Sequence, residues 1–512
     1  MRAALLLPLM TAPSQTLPSP AAAKADFDQI RLTFFIIGIA VLIRLWFLSR
    51  SGLELYGDEA QYFAWSQNLA LGYFTKPPLI AWVIAATTGL FGTSEPAVRL
   101  AAPLFHALTA AFLLAAGTKL FDLRAGAAAA IVWILLPGVS FSSVIISTDA
   151  PLLMFASMAL MAYIGLWRGL VRRQDAIILG VALGLGLMSK LAMAYMLLCM
   201  ACHMILDRQA RNLLRSPDFW LALALGGLIY APNIIWNLSH GGATYGHLAE
   251  NAALDRAGLH LDAALSFIGG QLGIFGPVPL FVLALATVQA WRNQSPELIL
   301  CLCFTYPVLG LMTAEAAASR AFANWAAFAY PAASLAVGHI LAQRPKWALG
   351  NGLLHGALGL ALYAWGLGLF HPGLKSDPVA NLHGWRTLSR EIAKEWRVAG
   401  VPELIATDRM DMARLLYYLP DKFGEVRIIS SDGRAHSEFD LNAGLDETSG
   451  GTGLLVSRFR DLGALEQRFQ SVELQSAISV PRPHAATLKY YLFRVQMFHG
   501  PDADKQADNP SR

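Results

Sequence analysis

Two adjacent carboxylates, Asp58 and Glu59, follow the first apolar segment of the chain, and Lys76 comes after them, directly ahead of two prolines. Carboxylates beside a bilayer cost free energy, so they usually have a partner or a task there. A carboxylate can take the proton of an attacking hydroxyl group, and a lysine binds phosphate as a compact point charge. Residues 56–82 are therefore predicted to form an active-site loop that faces a lipid-borne anion.

Each of these residues also has a structural explanation. Gly57, Asp58 and Glu59 stand where a helix opens, and an acid there can cap the helix or favour its dipole. Lys76 could be an interfacial lysine whose charged end snorkels to water. A cap accounts well for one acid but only partly for two. The pair is therefore predicted to be catalytic.

A third acid, Asp149, lies between Thr148 and Pro151. It could cap the helix that begins near the proline, since proline is favoured in a first helical turn. The predicted topology places Asp149 on the same face of the membrane as Asp58. That placement favours a shared site with Asp58, Glu59 and Asp149 as its catalytic acids.

Further polar residues fall on loops at the same face. Lys190 and Arg320 are predicted to bind the donor phosphate together with Lys76, although Arg320 could instead pair with Glu315. The predicted substrate contacts are Tyr62, Asn237, His240, His247 and Asn324. The two histidines have no clear third ligand, so no metal site is assigned, and a divalent ion stays open as an alternative. No P-loop or dinucleotide motif is present in the sequence, so no other cofactor is expected.

The composition indicates the class of protein that must position these residues. Of the 512 residues, 55% are hydrophobic and 14% are charged, and the mean hydropathy is +0.46. These values exclude an ordinary soluble protein and indicate a polytopic membrane protein. The net charge of +4 is too small to suggest binding to nucleic acid.

The apolar segments predict about eleven membrane crossings between residues 26 and 370. Residues 78–92 are too short to span and are predicted to be re-entrant or interfacial. With that assignment the basic loops fall on the cytoplasmic side, apart from Arg50, Arg99 and Arg256. Residues 1–25 and 501–512 are predicted to be disordered tails. The site is expected to face the outer side of the membrane.

Residues 371–500 have ordinary charge density and are predicted to form a small extracytoplasmic α/β domain. A helical pattern covers Trp385–Ala399, and residues 425–429, 453–457 and 490–496 read as strands. The fold class is therefore mainly α: a transmembrane helical bundle with a C-terminal α/β domain.

Several motifs carry a resemblance to a known family. The order and spacing of these motifs are similar to the bacterial glycosyltransferase family 39 of the GT-C superfamily. Its relatives include protein O-mannosyltransferases and the aminoarabinose and galacturonic-acid transferases of lipid A. The motifs are GDEAQY, KPPL, STDAPLL, Ser189-Lys190, Pro232 with Trp236-Asn237, His240 and His247, Gly270-Gln271, Gly276-Pro277, Asn324-Trp325, Met412-Ala413-Arg414 and Tyr417-Tyr418-Leu419-Pro420.

The resemblance implies a sugar donor linked to polyprenyl phosphate and an acceptor that is a lipid, a glycan or a protein. It also implies a bacterial inner-membrane location, with the site and the C-terminal domain facing the periplasm. Asp58 matches the acid proposed as base or acceptor-orienting group, Lys76 the lysine on the donor phosphate, and Asp149 a second active-site acid. The chain has Ala60-Gln61 where the aminoarabinose enzymes have an arginine after the acid pair. That departure leaves the sugar and the acceptor open.

Two other classes of protein compete with a transferase. A flippase for lipid-linked sugars would use the same cavity without turnover, but no inverted repeat is evident in the sequence. A structural scaffold would leave the outward-facing acids and Lys76 unexplained. Transfer of sugar to an acceptor within a lipid membrane is the favoured prediction.

Overall fold

The computed structural model describes residues 20–170, 172–252, 258–373, 377–420, 424–430, 435–445, 451–483 and 485–498. Within these ranges the protein is mainly helical, with one five-stranded sheet in its C-terminal part. The predicted fold class is confirmed. The tail predicted over residues 501–512 lies outside the described residues, as do residues 1–19.

The helices before the sheet form one bundle. They are α1 Pro20–Arg50, α2 Gly57–Ser66, α3 Leu79–Phe91, α4 Glu95–Arg99, α5 Ala101–Leu120, α6 Leu123–Leu135, α7 Pro137–Ser142, α8 Asp149–Arg168, α9 Arg172–Ser189, α10 Tyr195–Leu206, α11 Arg208–Arg211, α12 Pro217–Ser239, α13 Ala243–Ala252, α14 Leu261–Ile274, α15 Pro277–Asn293, α16 Pro296–Cys303, α17 Tyr306–Ala318, α18 Tyr330–Ala342 and α19 Pro345–Gly366. Because α1 begins at Pro20, residues 20–25 are helical, and the prediction of a disordered tail is wrong there.

Six helical stretches in the described part are long and apolar enough to cross a membrane, or eight if two bent helix pairs each count as one span. This number is below the predicted eleven. The difference arises partly because α6 has only 13 residues, and a straight span needs about 20. Helix α3 is short and apolar, which is compatible with the predicted re-entrant segment. The number of crossings stays a prediction.

Helix α8 forms the centre of the bundle and is buried on nearly every side. It packs against α5 and α9. A helix that is apolar all round must be surrounded by other helices. Asp149 is the first residue of α8, so the most central helix of the bundle brings an acid to its end.

The C-terminal part, here called the outer domain, has the helices α20 Trp385–Ala399, α21 Arg409–Tyr418 and α22 Glu438–Ala443. Its strands are β1 Glu403–Ala406, β2 Glu425–Ile428, β3 Thr452–Ser457, β4 Phe469–Arg482 and β5 Ala485–Phe498. The sheet order is β2-β1-β3-β5-β4. Strand β1 is parallel to β2 and β3, and β5 is antiparallel to β3 and β4.

Hydrogen bonds join the outer domain to the segment before α2 and to the segment after α3. The Leu55 amide donates to the Tyr418 hydroxyl across 2.6 Å, and the Tyr417 hydroxyl donates to the carbonyl of Thr93 across 2.6 Å. A Cβ on Gly57 would lie 2.9 Å from Sδ and 3.0 Å from Cβ of Met410, so a larger residue there would require α21 side chains to shift. This contact brings the start of α21 beside Asp58.

Candidate active site

The two adjacent acids of α2 point to different surroundings. Glu59 is fully buried, and its carboxylate accepts two hydrogen bonds from Arg99 at 2.6 and 2.8 Å. It also accepts from the amides of Tyr56 and Ile146, each at 2.9 Å. A carboxylate whose oxygens are occupied in this way joins elements of the fold and is not available to a substrate. These contacts favour a structural role for Glu59, and its predicted catalytic role stays a prediction.

Asp58, one residue earlier, is half-buried and has no hydrogen bond or ion pair with any residue that the structure describes. Neighbouring helical residues point about 100° apart, which explains why the two acids separate. The charge of Asp58 acts on Tyr62, one turn along α2. Burial, together with Asp58 and Asp149, raises the pKa of the Tyr62 hydroxyl well above its usual value. Tyr62 therefore stays neutral beside two carboxylates.

Lys76 lies on the segment between α2 and α3, and that segment is firmly held. The Tyr73 ring stacks on Trp65 with 4.6 Å between ring centroids, and the Tyr73 amide donates to the carbonyl of Lys76 across 3.1 Å. The Phe74 amide donates to the Glu438 carboxylate of α22 across 2.9 Å. The outer domain thus helps to fix the position of the lysine.

The Lys76 ammonium has no partner among the described residues. Burial, and then the nearby Lys190, lower its pKa, while Asp58 and Asp149 partly oppose that shift. A cation that is partly desolvated and close to another cation gains free energy when an anion binds between them. The surroundings of Lys76 are therefore suited to an anionic group such as a phosphate.

Asp149, Lys190 and Asn324 meet although they are far apart in the sequence. The Nζ atom of Lys190 lies 2.6 Å from Oδ1 of Asp149. The Nδ2 atom of Asn324 donates to Oδ2 of Asp149 across 3.4 Å. Lys190 directly follows α9, and Asn324 belongs to a 3-10 turn, Ala323–Ala329. The structure therefore groups these three predicted residues beside Asp58 and Lys76.

Arg409 is a further site residue that sequence reasoning missed. It is the first residue of α21, and the Asp408 side chain caps that helix. The charge of Arg409 acts on Tyr62, Lys76 and His247. Its Nη1 atom is buried and has no hydrogen-bond partner among the described residues. No sequence signal marks it, because only the docking of the outer domain brings it to the membrane-domain residues.

His247, on α13, also lies in this cluster. Burial, and then the charges of Arg409 and Lys76, lower the pKa of its imidazole to about 4. The ring is therefore neutral at pH 7. It lies edge-on to Phe74, with 6.4 Å between ring centroids. His247 can hydrogen-bond to a substrate but does not add a positive charge at neutral pH.

Two other predicted substrate contacts shape the end of α12 instead. Asn237 is fully buried; its amide donates to the Asn233 carbonyl across 3.0 Å and accepts from the Thr244 amide across 3.1 Å. The His240 ring stacks on Trp236 with 4.1 Å between ring centroids. Neither side chain joins the cluster around Asp58. Both side chains stabilise the turn between α12 and α13, and their role as substrate contacts stays a prediction.

Arg320, predicted to bind the donor phosphate, is exposed on the segment between α17 and the 3-10 turn. In the described part of the chain, no bond joins it to the other predicted site residues. No group of three or more His, Cys, Asp or Glu side chains that could hold a metal ion occurs among the described residues. Among the described residues of the cluster, the side chains of these types are those of Asp58, Asp149 and His247.

The chain is similar to known glycosyltransferases in sequence. Residues 75–236 match the family model described as dolichyl-phosphate-mannose-protein mannosyltransferase. The chain is 34% identical over 386 residues to the lipid A galacturonosyltransferase RgtD of Rhizobium johnstonii, covering 74% of this chain and 80% of that protein. It is 30% identical over 206 residues to the lipopolysaccharide core galacturonosyltransferase RgtA of the same organism, covering 40% of each chain.

Solved structures show a related fold. The apo crystal structure of ArnT from Cupriavidus metallidurans superposes with a TM-score of 0.65 at 17% identity, covering 92% of this chain and all of that one. The structure of ArnT bound to undecaprenyl phosphate gives a TM-score of 0.62 at 16% identity, covering 92% of this chain and 99% of that one. At this identity the likeness concerns the arrangement of the helices and the outer domain.

Proposed function

The chain belongs to the GT-C superfamily of membrane glycosyltransferases, and on that premise we propose that it transfers galacturonic acid from a polyprenyl-phosphate donor to a lipid A-type acceptor. Membership rests on the 34% identity to a lipid A galacturonosyltransferase over 80% of its length. The prediction of a glycosyltransferase is confirmed. The relatives reported above are all transferases, and none of them supports the flippase alternative. The identities of the sugar and of the acceptor are the parts that we propose.

One observation carries the reaction type. Asp58 and Lys76 share one cluster, and neither has a partner within the described residues. An unpaired carboxylate and an unpaired, partly desolvated lysine provide a base and an anion-binding group side by side. Acceptor activation and phosphate departure need these two groups and no redox cofactor.

The proposed step moves one sugar and one proton. The acceptor hydroxyl oxygen forms a bond to C1 of the sugar while the bond from C1 to the phosphate oxygen breaks. The electron pair of the broken bond stays on the phosphate, whose negative charge Lys76 and Lys190 stabilise. The proton of the hydroxyl group moves to the carboxylate of Asp58. Asp149 orients Lys190 through their ion pair.

Arg409 gives a physical reason for an acidic sugar. Lys76 is the cation proposed for the phosphate, and Lys190 already has a carboxylate partner. Arg409 adds another positive charge with a buried Nη1 atom that lacks a partner among the described residues. Arginine binds a carboxylate through paired hydrogen bonds. A uronic acid carries that carboxylate, whereas a neutral hexose does not.

The orientation and the membrane are part of the proposal. The cluster is placed on the periplasmic side of a bacterial inner membrane because the predicted loops rich in Lys and Arg fall on the opposite side. Alkaline phosphatase fused after Phe498 should then be active, since that enzyme needs the oxidising periplasm. A fluorescent protein that folds only in the cytoplasm should be dark at the same position, and a bright one would contradict the orientation.

The purified protein in lipid nanodiscs tests the transfer directly. Polyprenyl-phosphate galacturonic acid with a radioactive sugar should pass its label to lipid A, and the polyprenyl phosphate should be released. A donor that stays intact while it crosses the bilayer would support a flippase. Label that moves to a purified protein or peptide acceptor but not to lipid A would contradict the proposed acceptor.

A further inference from the structure

A polar cavity of about 420 Å³ lies where the outer domain meets the start of α2. We call it the outer-domain pocket. Its walls come from the segment before α20, from α20 and α21, from the residue after β3, from the end of β4 and from β5, and from the start of α2. Its charged lining residues are Asp408, Arg414, Arg458, Arg482 and Lys489.

Cations dominate this lining. Arg414, Arg458, Arg482 and Lys489 face one lining carboxylate, that of Asp408. A second carboxylate, that of Asp411, binds Arg458 across 2.5 Å and lies 3.5 Å from Arg414. The four cations therefore meet two acids, and the pocket keeps a net positive charge. A cavity with such a charge favours an anionic ligand.

The cations are held in place by neutral groups as well. Arg482 donates to the carbonyl oxygens of Ala486 at 2.8 Å and Ala380 at 3.1 Å, which do not neutralise its charge. The Arg414 guanidinium stacks 3.7 Å from the centroid of the Trp385 ring. Arg414 is only 6% exposed, and its Nε atom has no hydrogen-bond partner among the described residues. A buried guanidinium with an unused donor is an additional sign that a ligand belongs here.

The pocket adjoins the catalytic cluster at two points of the chain. Gly57 lines the pocket, and the next residue is Asp58. Asp408 and Met410 line it, and Arg409 between them faces the cluster. Lys76 and Lys190, proposed for the donor phosphate, are not part of the pocket lining. The pocket therefore lies beside the proposed base but apart from the groups proposed to hold the donor.

We propose that the outer-domain pocket binds an anionic group, phosphate or carboxylate, carried by the acceptor glycolipid. This inference rests on the proposed function. The bound anion would anchor the acceptor while its hydroxyl group reaches Asp58. The outer domain then serves as the acceptor-binding part of the enzyme, and the membrane domain binds the donor lipid.

Lys489 offers a test that spares the fold, since it is exposed on β5 and has no partner within the described residues. Lys489→Glu should raise the KM for phosphorylated lipid A roughly tenfold, the effect of losing one charge-assisted contact. The kcat and the KM for the donor should change little. Lys394→Glu, an equal charge reversal at an exposed position of α20, should leave all three values unchanged.

The acceptor itself supplies the second arm of the test. With lipid A from which the phosphate groups have been removed, the wild type should already show the raised KM, and Lys489→Glu should add nothing. A different result is that Lys489→Glu raises the KM equally for both acceptors, and only in nanodiscs that contain phosphatidylglycerol. That result would assign the pocket to membrane lipid and overturn the proposal. An unchanged KM for phosphorylated lipid A in Lys489→Glu would overturn it too.

Failure of this inference can be told apart from failure of the proposed function. Binding of phosphorylated lipid A to the donor-free protein can be measured in detergent micelles without any turnover. If the wild type transfers no sugar but Lys489→Glu still binds this lipid about tenfold more weakly, the pocket is supported and the transfer reaction is wrong. If sugar is transferred while both proteins bind the lipid equally, the pocket assignment is wrong.

Discussion

The Nζ atom of Lys190 lies 2.6 Å from Oδ1 of Asp149, whereas Lys76 has no partner in the part of the chain that the structure describes. The two lysines therefore differ in how much positive charge each can offer to a donor phosphate. We expect Lys76→Met to raise the KM for the donor more than Lys190→Met does. Donor titrations at saturating acceptor measure both values, and an equal or reversed order would contradict this division between the two lysines.

The lowered pKa of Lys76 predicts a pH dependence. Burial and Lys190 lower this pKa, so the ammonium loses its charge at a pH below the ordinary lysine value of about 10.4. The kcat/KM for the donor should fall as the pH rises through that lowered value. Lys76→Arg should remove this fall because arginine stays charged. A fall that persists unchanged in Lys76→Arg would assign the titration to another group.

Arg409 should decide between acidic and neutral sugars. We expect Arg409→Gln to raise the KM for a galacturonic-acid donor by roughly tenfold or more, as for a lost hydrogen bond to a charged group. A galactose donor, which lacks the carboxylate, should be used equally by the variant and the wild type. Arg390→Gln, an exposed position on α20, serves as the control. Equal losses with both donors would show that Arg409 does not recognise the carboxylate.

Glu59 should matter for stability more than for chemistry. Glu59→Gln leaves the Arg99 guanidinium buried without its charged partner, and breaking such a pair costs about 3–5 kcal/mol. The melting temperature of the purified protein should fall clearly. The double variant Glu59→Gln/Arg99→Met should recover part of the loss, because no unpaired charge is left behind. A normal melting temperature with lost transfer would return Glu59 to the catalytic group.

The sequence could predict the position of the acid pair but not the separate roles of its members. Asp58 and Glu59 are equivalent by type and setting, and their different partners, above all Arg99 beside Glu59, distinguish them. That arginine was an exception to the distribution of basic loops, and its burial against Glu59 explains the exception. Arg256, another exception, lies outside the described residues.

In the outer domain, too, the sequence predicts some elements but not the contacts between them. The sequence predicts the helix Trp385–Ala399 with the observed bounds because apolar residues recur on one face. The strands β1 and β4 were missed, since β1 has four residues and β4 carries many polar side chains. Arg409 was missed because it belongs to the outer domain, whereas the cluster residues near it belong to the membrane domain. Contacts between domains leave no periodic pattern in a sequence.

The measurement that tests the central claim most directly is sugar transfer by Asp58→Asn at neutral pH. Tyr56, not Asp58, is the N-cap of α2, and asparagine has nearly the shape of aspartate, so the variant should fold and bind the donor normally. An amide cannot accept the proton, so transfer to lipid A should fall roughly a hundredfold or more, the scale of a positioned base. Transfer at nearly the wild-type rate would contradict the role of Asp58 as the base.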